Sequence, residues 1–134
     1  MKRAVNTRYL RRIAVSLLML LFAAPAFAQQ APERIHLIPG GRNVALEGDV
    51  ARGSEAVYVF SAATGSIVTC RIVSKAGAAG FAVTDEEGRA LPEEEFYFNQ
   101  RLTGTLENEG DYRITVSTFE SAPTHYKLTV RIRH

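Results

Sequence analysis

Hydrophobic and polar residues alternate one by one along much of the chain. The pattern is clearest near the C-terminus, over 125–134. Apolar side chains there occupy every second position: Tyr126, Leu128, Val130 and Ile132. The positions between them are polar: Lys127, Thr129, Arg131 and Arg133. Because side chains of an extended chain point alternately to opposite faces, this period of two predicts a half-buried antiparallel strand.

The same alternation predicts two more strands, at 111–117 and 66–74. Their inward-facing residues are Tyr112, Ile114 and Val116 in the first and Val68, Cys70 and Ile72 in the second. Shorter strands are expected at 34–38, 43–50, 56–62, 80–84 and 98–106. Glycine-containing turns separate these segments, and no stretch after residue 29 has helical periodicity. The sequence therefore predicts an all-β fold, a single antiparallel β-sandwich of about seven to nine short strands, with a small barrel as the alternative.

The first 28 residues have the pattern of a secretory signal peptide. Basic residues without any acidic residue precede an apolar run at 13–24, and Ala26-Phe27-Ala28 supplies the small residues that signal peptidase requires. The apolar run is shorter than the about 20 residues of a membrane-spanning helix. We therefore expect a signal peptide at 1–28, a flexible leader at 29–33 and one β-sandwich domain at 34–134. The product is expected in the periplasm or outside the cell, with no membrane span after cleavage.

Removal of the signal peptide reverses the sign of the net charge. The full chain has 16 basic and 14 acidic residues, a formal charge of +2. The predicted signal peptide contains five of the basic residues and none of the acidic ones, which leaves a formal charge of −3. Because the remaining basic residues are dispersed along the sequence, nucleic acid is not an expected partner.

The sequence lacks the local motifs of common enzyme chemistry. It has no Gly-x-Ser-x-Gly elbow, no His-Glu-x-x-His and no glycine-rich phosphate loop. The three histidines, His36, His125 and His134, lie far apart in the sequence. Cysteine and histidine residues do not occur at the spacing of metal ligands. The single cysteine, Cys70, excludes an intramolecular disulfide, and its alternation with apolar neighbours favours a buried hydrophobic role over a reactive thiol. No catalytic residue, cofactor or metal is therefore predicted.

The acidic stretch Asp85, Glu86 and Glu87 has two interpretations. Its oxygens suit calcium, but Asp-Glu-Glu-Gly-Arg at 85–89 is also an ordinary hairpin turn. We favour the turn.

One segment departs from the sandwich pattern and suggests binding. Residues 92–98 read Pro-Glu-Glu-Glu-Phe-Tyr-Phe, and a second acid–aromatic pair follows in the loop of the predicted last hairpin. Carboxylates steer a cationic partner, and aromatic rings give a large contact area at low entropy cost. The candidate partner-binding residues are Glu93, Glu94, Glu95, Tyr97, Phe119 and Glu120.

The alternative for the same segment is structural. Phe96 and Phe98 occupy alternate positions and could both fill the core. Tyr97 and the glutamates would then form a solvated edge that blocks the addition of a further strand.

The order of these motifs resembles a known group of small secreted β-sandwiches. The resemblance lies in three segments: Gly-Asp-Val-Ala-Arg-Gly-Ser-Glu-Ala-Val-Tyr-Val-Phe at 48–60, Gly-Asp-Tyr-Arg-Ile-Thr-Val at 110–116 and Tyr-Lys-Leu-Thr-Val at 126–130. They are similar to the pre-peptidase C-terminal domains and to the periplasmic inhibitors of goose-type lysozyme, over nearly the whole chain after the leader. The motifs are structural ones: Tyr58 and Phe60 would fill the core, and Gly65 and Gly110 would make turns.

The resemblance implies a non-enzymatic exported protein, and three roles remain open. The first is a lysozyme-inhibitor-like protein that binds a cationic bacteriolytic enzyme such as a lysozyme. The second is an accessory module of the pre-peptidase C-terminal type that contacts carbohydrate or protein, although the chain has no tryptophan for a sugar-stacking platform. The third is a structural protein of the cell envelope.

Overall fold

The computed structural model describes residues 31–91 and 98–134, which form two β-sheets around one hydrophobic core. The strands are β1 (Glu33–Arg34), β2 (Val44–Val50), β3 (Ala56–Ala62), β4 (Ile67–Ser74), β5 (Ala79–Thr84), β6 (Ala90–Leu91), β7 (Arg101–Thr105), β8 (Gly110–Thr118) and β9 (Thr124–Arg133). A 3-10 turn at Lys75–Gly77 joins β4 to β5. The predicted all-β sandwich is confirmed. The predicted signal peptide lies outside the described residues.

The strands divide into a five-stranded sheet in the order β1-β3-β8-β5-β6 and a four-stranded sheet in the order β2-β9-β4-β7. One pairing differs from the prediction of a wholly antiparallel sandwich: β1 runs parallel to β3, with Arg34 opposite Val59. The intervening strand, β2, belongs to the other sheet, so the chain returns to the first sheet in its original direction. Since Glu33 lies in β1, the first strand starts one residue before the predicted domain boundary.

Two predicted strands are shorter than the hydrophobic pattern suggested. The strand expected at 34–38 ends at Arg34, although the next residue, the buried Ile35, still donates its amide to the Val59 carbonyl of β3. The strand expected at 98–106 is reduced to β7 because Asn99 and Gln100 cross from one sheet to the other. The Asn99 amide donates to the Phe81 carbonyl in the five-stranded sheet, and the Gln100 carbonyl accepts from Ile72 in the four-stranded sheet.

The inward rows of both sheets form the core, as the alternation predicted. In β9 every second residue from Tyr126 to Ile132 is buried, and Cys70 is fully buried in β4. A hydrogen bond between the Tyr58 and Tyr126 hydroxyls joins the two sheets across the interior. Burial, followed by this bond, raises the pKa of Tyr126, so its hydroxyl stays neutral.

A second tyrosine anchors the start of β8. The Tyr112 hydroxyl donates to the Asn108 carbonyl at 2.5 Å, and the ring stacks on Phe60 with centroids 5.7 Å apart. A tyrosine that bonds to the backbone a few residues upstream is a recurrent anchor of β-sandwich corners.

Candidate partner-binding surface

The loop between β8 and β9 is held by hydrogen bonds at its base. Thr118 and Thr124, the residues that flank the loop, are 5% and 7% exposed, and their hydroxyl oxygens lie 3.1 Å apart. The Thr118 hydroxyl is also 2.9 Å from the Ala78 carbonyl, to which it donates, and the Glu120 amide is 3.2 Å from the same hydroxyl oxygen. Because buried threonine hydroxyls need such partners, these contacts fix the direction in which the loop leaves the sheet.

Phe119 is the outward-facing residue of this loop. Its side chain is 74% exposed, a large value for a phenylalanine. It follows Thr118 on β8, where odd-numbered positions face away from the core, so alternation along the strand directs the ring outward. Glu120, the other candidate residue of this loop, is also exposed.

Phe98 lies against Phe119 on the outer side of the five-stranded sheet. The two ring centroids are 4.8 Å apart and the rings are tilted by 43°. Phe98 covers Gly80, where an added Cβ would lie 2.6 Å from the Phe98 ring. Glycine at position 80 therefore provides the space in which Phe98 sits against Phe119.

The chain that carries Phe98 is fixed immediately after it. Asn99 and Phe81 exchange two backbone hydrogen bonds of 2.7 and 2.8 Å at the edge of β5. The Gln100 side-chain amide donates to the Gly77 carbonyl at 2.8 Å. The backbone after Phe98 and the base of the loop that carries Phe119 are thus both hydrogen-bonded, which lowers the entropy lost when a partner binds.

The alternative interpretation of the acidic segment places Phe98 in the core. In the structure Phe98 is instead half-buried on the outer face of the five-stranded sheet, against Gly80. The sequence gives no sign that Phe98 and Phe119 meet. Their contact depends on the residue at position 80 being glycine, which has no side chain to occupy the place of the Phe98 ring. The other candidates, Glu93, Glu94, Glu95 and Tyr97, lie outside the described residues.

The histidines of the described residues do not form a catalytic arrangement. His125 Nδ1 is 3.0 Å from Asp49 Oδ1, but both side chains are mostly exposed on the outer face of the four-stranded sheet. His36 and His134 are exposed elsewhere on the surface. The Cys70 thiol is inaccessible, and burial raises its pKa to about 12, so it remains a neutral thiol.

The acidic stretch at 85–87 has the geometry of a hairpin turn. Asp85 Oδ1 accepts from the Glu87 and Arg89 amides, and Oδ2 forms an ion pair with Arg89 Nε at 2.9 Å. Glu86 reaches across to accept from the Asp111 amide at 2.9 Å. These carboxylates are therefore engaged in the turn that was favoured from the sequence, and the part of the chain described here contains no cluster of three metal-ligating side chains.

The comparisons with known proteins agree with the fold. No family model matches the sequence, and no curated protein matches it. The PliG periplasmic inhibitor of g-type lysozyme from Aeromonas hydrophila superposes with a TM-score of 0.59 at 20% identity, over 77% of this chain and 100% of the inhibitor. PliG from Salmonella Typhimurium gives a TM-score of 0.56 at 16% identity, over 77% of this chain and 100% of that one.

A domain of another class shares the architecture. The pre-peptidase C-terminal domain of a Bacillus anthracis collagenase superposes with a TM-score of 0.52 at 18% identity, over 76% of this chain and 96% of the domain. The chain thus has the β-sandwich fold common to the PliG inhibitors and the pre-peptidase C-terminal domains, as the sequence motifs suggested. At these identities the likeness is one of fold. Among the described residues, no helix has the length and apolarity needed to cross a membrane.

Proposed function

We propose that this protein is an exported, non-enzymatic binding protein whose partner is a cationic bacteriolytic enzyme of the lysozyme type. The observation that carries the proposal is the Phe98–Phe119 pair, in which Phe119 is exposed and Phe98 is half-buried, on a hydrogen-bonded support at one end of the sandwich. The fold supports it, because periplasmic lysozyme inhibitors are built on the same fold.

The aromatic pair is suited to be the energetic centre of an interface. Phe119 exposes most of its surface in the free protein, so a partner that covers it removes a large apolar area from water. The ring has few rotatable bonds, and contact with Phe98 restricts it further, which reduces the entropy cost of binding. Aromatic residues with these properties commonly dominate the binding energy of protein interfaces.

The glutamates of the candidate surface have a different proposed role. A lysozyme-type partner is cationic, and the predicted mature chain carries a net negative charge. We assign long-range attraction of the partner to Glu93, Glu94, Glu95 and Glu120, and short-range contact to Tyr97 and Phe119. Replacing the three consecutive glutamates with glutamine should therefore slow association and weaken its salt dependence, whereas Tyr97→Ala should mainly accelerate dissociation.

The experiment measures binding of the purified protein to chicken-type, goose-type and invertebrate-type lysozymes, with lytic activity recorded in parallel. For whichever lysozyme type binds, Phe119→Ala should weaken the binding free energy by about 2 kcal/mol or more, mostly through faster dissociation. Ile38→Ala is the matched control, because Ile38 is also 74% exposed but lies near the start of β2, away from the aromatic pair. The control should bind as the unchanged protein does.

Gly80→Ala tests the geometry separately from the chemistry. The added methyl group would displace Phe98 while retaining both aromatic rings. Affinity should fall and thermal stability should change little, since the displaced ring is half-buried. The absence of binding to all three lysozymes at micromolar concentration in low salt, with the fold intact by circular dichroism, would reject the proposal and favour the accessory-module role.

A further inference from the structure

A cationic surface covers the outer side of the four-stranded sheet. Four arginines and three threonines, together with Asn43, line a shallow concavity of about 520 Å³ there. The residues are Arg71, Arg101, Arg131, Arg133, Thr69, Thr103 and Thr129. We call this surface the arginine–threonine face. It lies on the opposite sheet from the Phe98–Phe119 pair, so it is independent of the site proposed above.

The strand register sets the arginines close together. Arg71 on β4 is directly opposite Arg101 on β7 and, on its other side, opposite Thr129 on β9. Residues paired in this way have Cα atoms about 4.5–5.5 Å apart. On the same central strand, Thr69 lies between Thr103 and Arg131. Along each of the three strands, an arginine and a threonine therefore occupy consecutive outward-facing positions.

This charge arrangement does not serve the stability of the sheet. Like charges directly opposite each other destabilise a strand pair, and Arg71 faces Arg101. In the described part of the chain no carboxylate forms an ion pair with any of the four arginines. The acids of β2 on this face, Glu47 and Asp49, stand opposite Lys127 and His125 instead.

The chemistry of the face selects one kind of partner. The arginine fork binds carboxylate or sulfate through two parallel hydrogen bonds, and the threonine hydroxyl both donates and accepts, as sugar hydroxyls require. The lining contains no aromatic ring on which a nucleobase could stack and no large apolar side chain to enter a membrane. The concavity is shallow and open, which suits an extended polymer.

We propose that the arginine–threonine face binds an anionic polysaccharide through its carboxylate or sulfate groups. Arg71 and Arg101 form the centre of the site and contact neighbouring anionic groups of the chain. Thr69, Thr103 and Thr129 bind sugar hydroxyls between them. Binding would hold an exported protein of negative net charge near acidic polymers through one locally basic surface.

The test measures affinity of the purified protein for heparin and polygalacturonate at about 50 mM salt, where ionic binding is strong. Neutral dextran, anionic phosphatidylglycerol vesicles and single-stranded DNA are the comparison ligands. The variant Arg71→Gln/Arg101→Gln should bind both acidic polysaccharides about tenfold or more weakly, with a smaller salt dependence. The charge-matched control Arg52→Gln/Lys75→Gln removes two exposed cations from loops outside the face and should retain binding within about twofold.

A second variant separates hydrogen-bond geometry from charge. Arg71→Lys/Arg101→Lys keeps both positive charges but loses the fork, and should also weaken binding. The glutamine variant should be at least as heat-stable as the unchanged protein, because it removes the repulsion between opposed arginines. Lysozyme binding should be unaffected in both variants, so failure here leaves the proposed function standing.

Three results would overturn the proposal. The first is an equal loss in the loop control, which would mean that net charge alone governs binding. The second is tighter binding to vesicles or DNA than to either acidic polysaccharide, which would assign the face to a different partner. The third is no binding to either polysaccharide at low salt.

Discussion

Single residues show how far a period of two determines burial. In β9, Tyr126, Leu128, Val130 and Ile132 are at most 2% exposed, as the alternation predicted. Cys70 was expected to be a small buried hydrophobic residue, and this is confirmed by its zero exposure. Its chemistry follows from its position, since burial disfavours the thiolate.

Adjacent residues of β9 offer a direct test of this alternation. Leu128 is fully buried between the two sheets, whereas Lys127 is exposed on the outer face. Leu128→Ala should lower the free energy of unfolding by about 2–5 kcal/mol because it removes buried methyl groups and leaves a cavity. Lys127→Ala should change it by less than about 0.5 kcal/mol. Denaturant unfolding of both variants measures the difference, and similar losses would contradict the assigned register.

At the scale of elements, the shortest strand depends on one polar cluster. Arg34 of β1 forms a bidentate contact with Asp111 of β8, with distances of 3.2 and 2.6 Å. Ser61 of β3 donates to the same carboxylate at 2.6 Å. Together with the parallel pairing to β3, these bonds hold β1 at the edge of the five-stranded sheet.

The cluster predicts a specific dependence on pH. The hydrogen bond from Arg34, followed by that from Ser61, lowers the pKa of Asp111 to about 2. Since the carboxylate has a lower pKa folded than unfolded, it contributes stability above its ordinary pKa of about 4. That contribution is lost as the pH falls from about 4 to about 2.

Asp111→Asn should remove this part of the acid sensitivity. The difference in melting temperature between the unchanged protein and the variant should narrow from pH 5 to pH 2, measured by circular dichroism. Glu55→Gln is the control, since Glu55 is exposed and has no ion pair within the described ranges. Parallel curves for Asp111→Asn and the unchanged protein would exclude the cluster as the cause.

At the scale of the whole molecule, the two proposed binding surfaces occupy opposite sides of the sandwich. The Phe98–Phe119 pair lies on the five-stranded sheet, and the arginine–threonine face lies on the four-stranded sheet. A molecule with two chemically different faces can engage two partners at once, because neither face obstructs the other. Four basic residues that are dispersed in the sequence, Arg71, Arg101, Arg131 and Arg133, thus lie together on one surface of the fold.

Export remains a prediction from the sequence, and it applies to the molecule as a whole. The protein should be recovered from the periplasm or the medium with Gln29 as its first residue. It should carry no lipid, because a lipoprotein would need cysteine at that position and the chain has Gln29. Intact-mass analysis of each cell fraction checks this, and a species that retains Met1 in the membrane fraction would contradict it.

The hydrophobic alternation alone determined the fold class, most of the strand positions and the inward rows of the core. It could do so because the direction of a side chain from a strand is a local property of the backbone. The absence of enzyme motifs could likewise be seen in the sequence. Both are properties of neighbouring residues.

The surfaces were decided only by tertiary structure. Phe98 meets Phe119 because Gly80 leaves space beneath it, and Arg71 faces Arg101 because β4 and β7 pair in one particular register. The parallel placement of β1 also depends on β2 belonging to the other sheet. Each of these contacts joins residues that are distant in sequence, and no local pattern specifies which strands become neighbours.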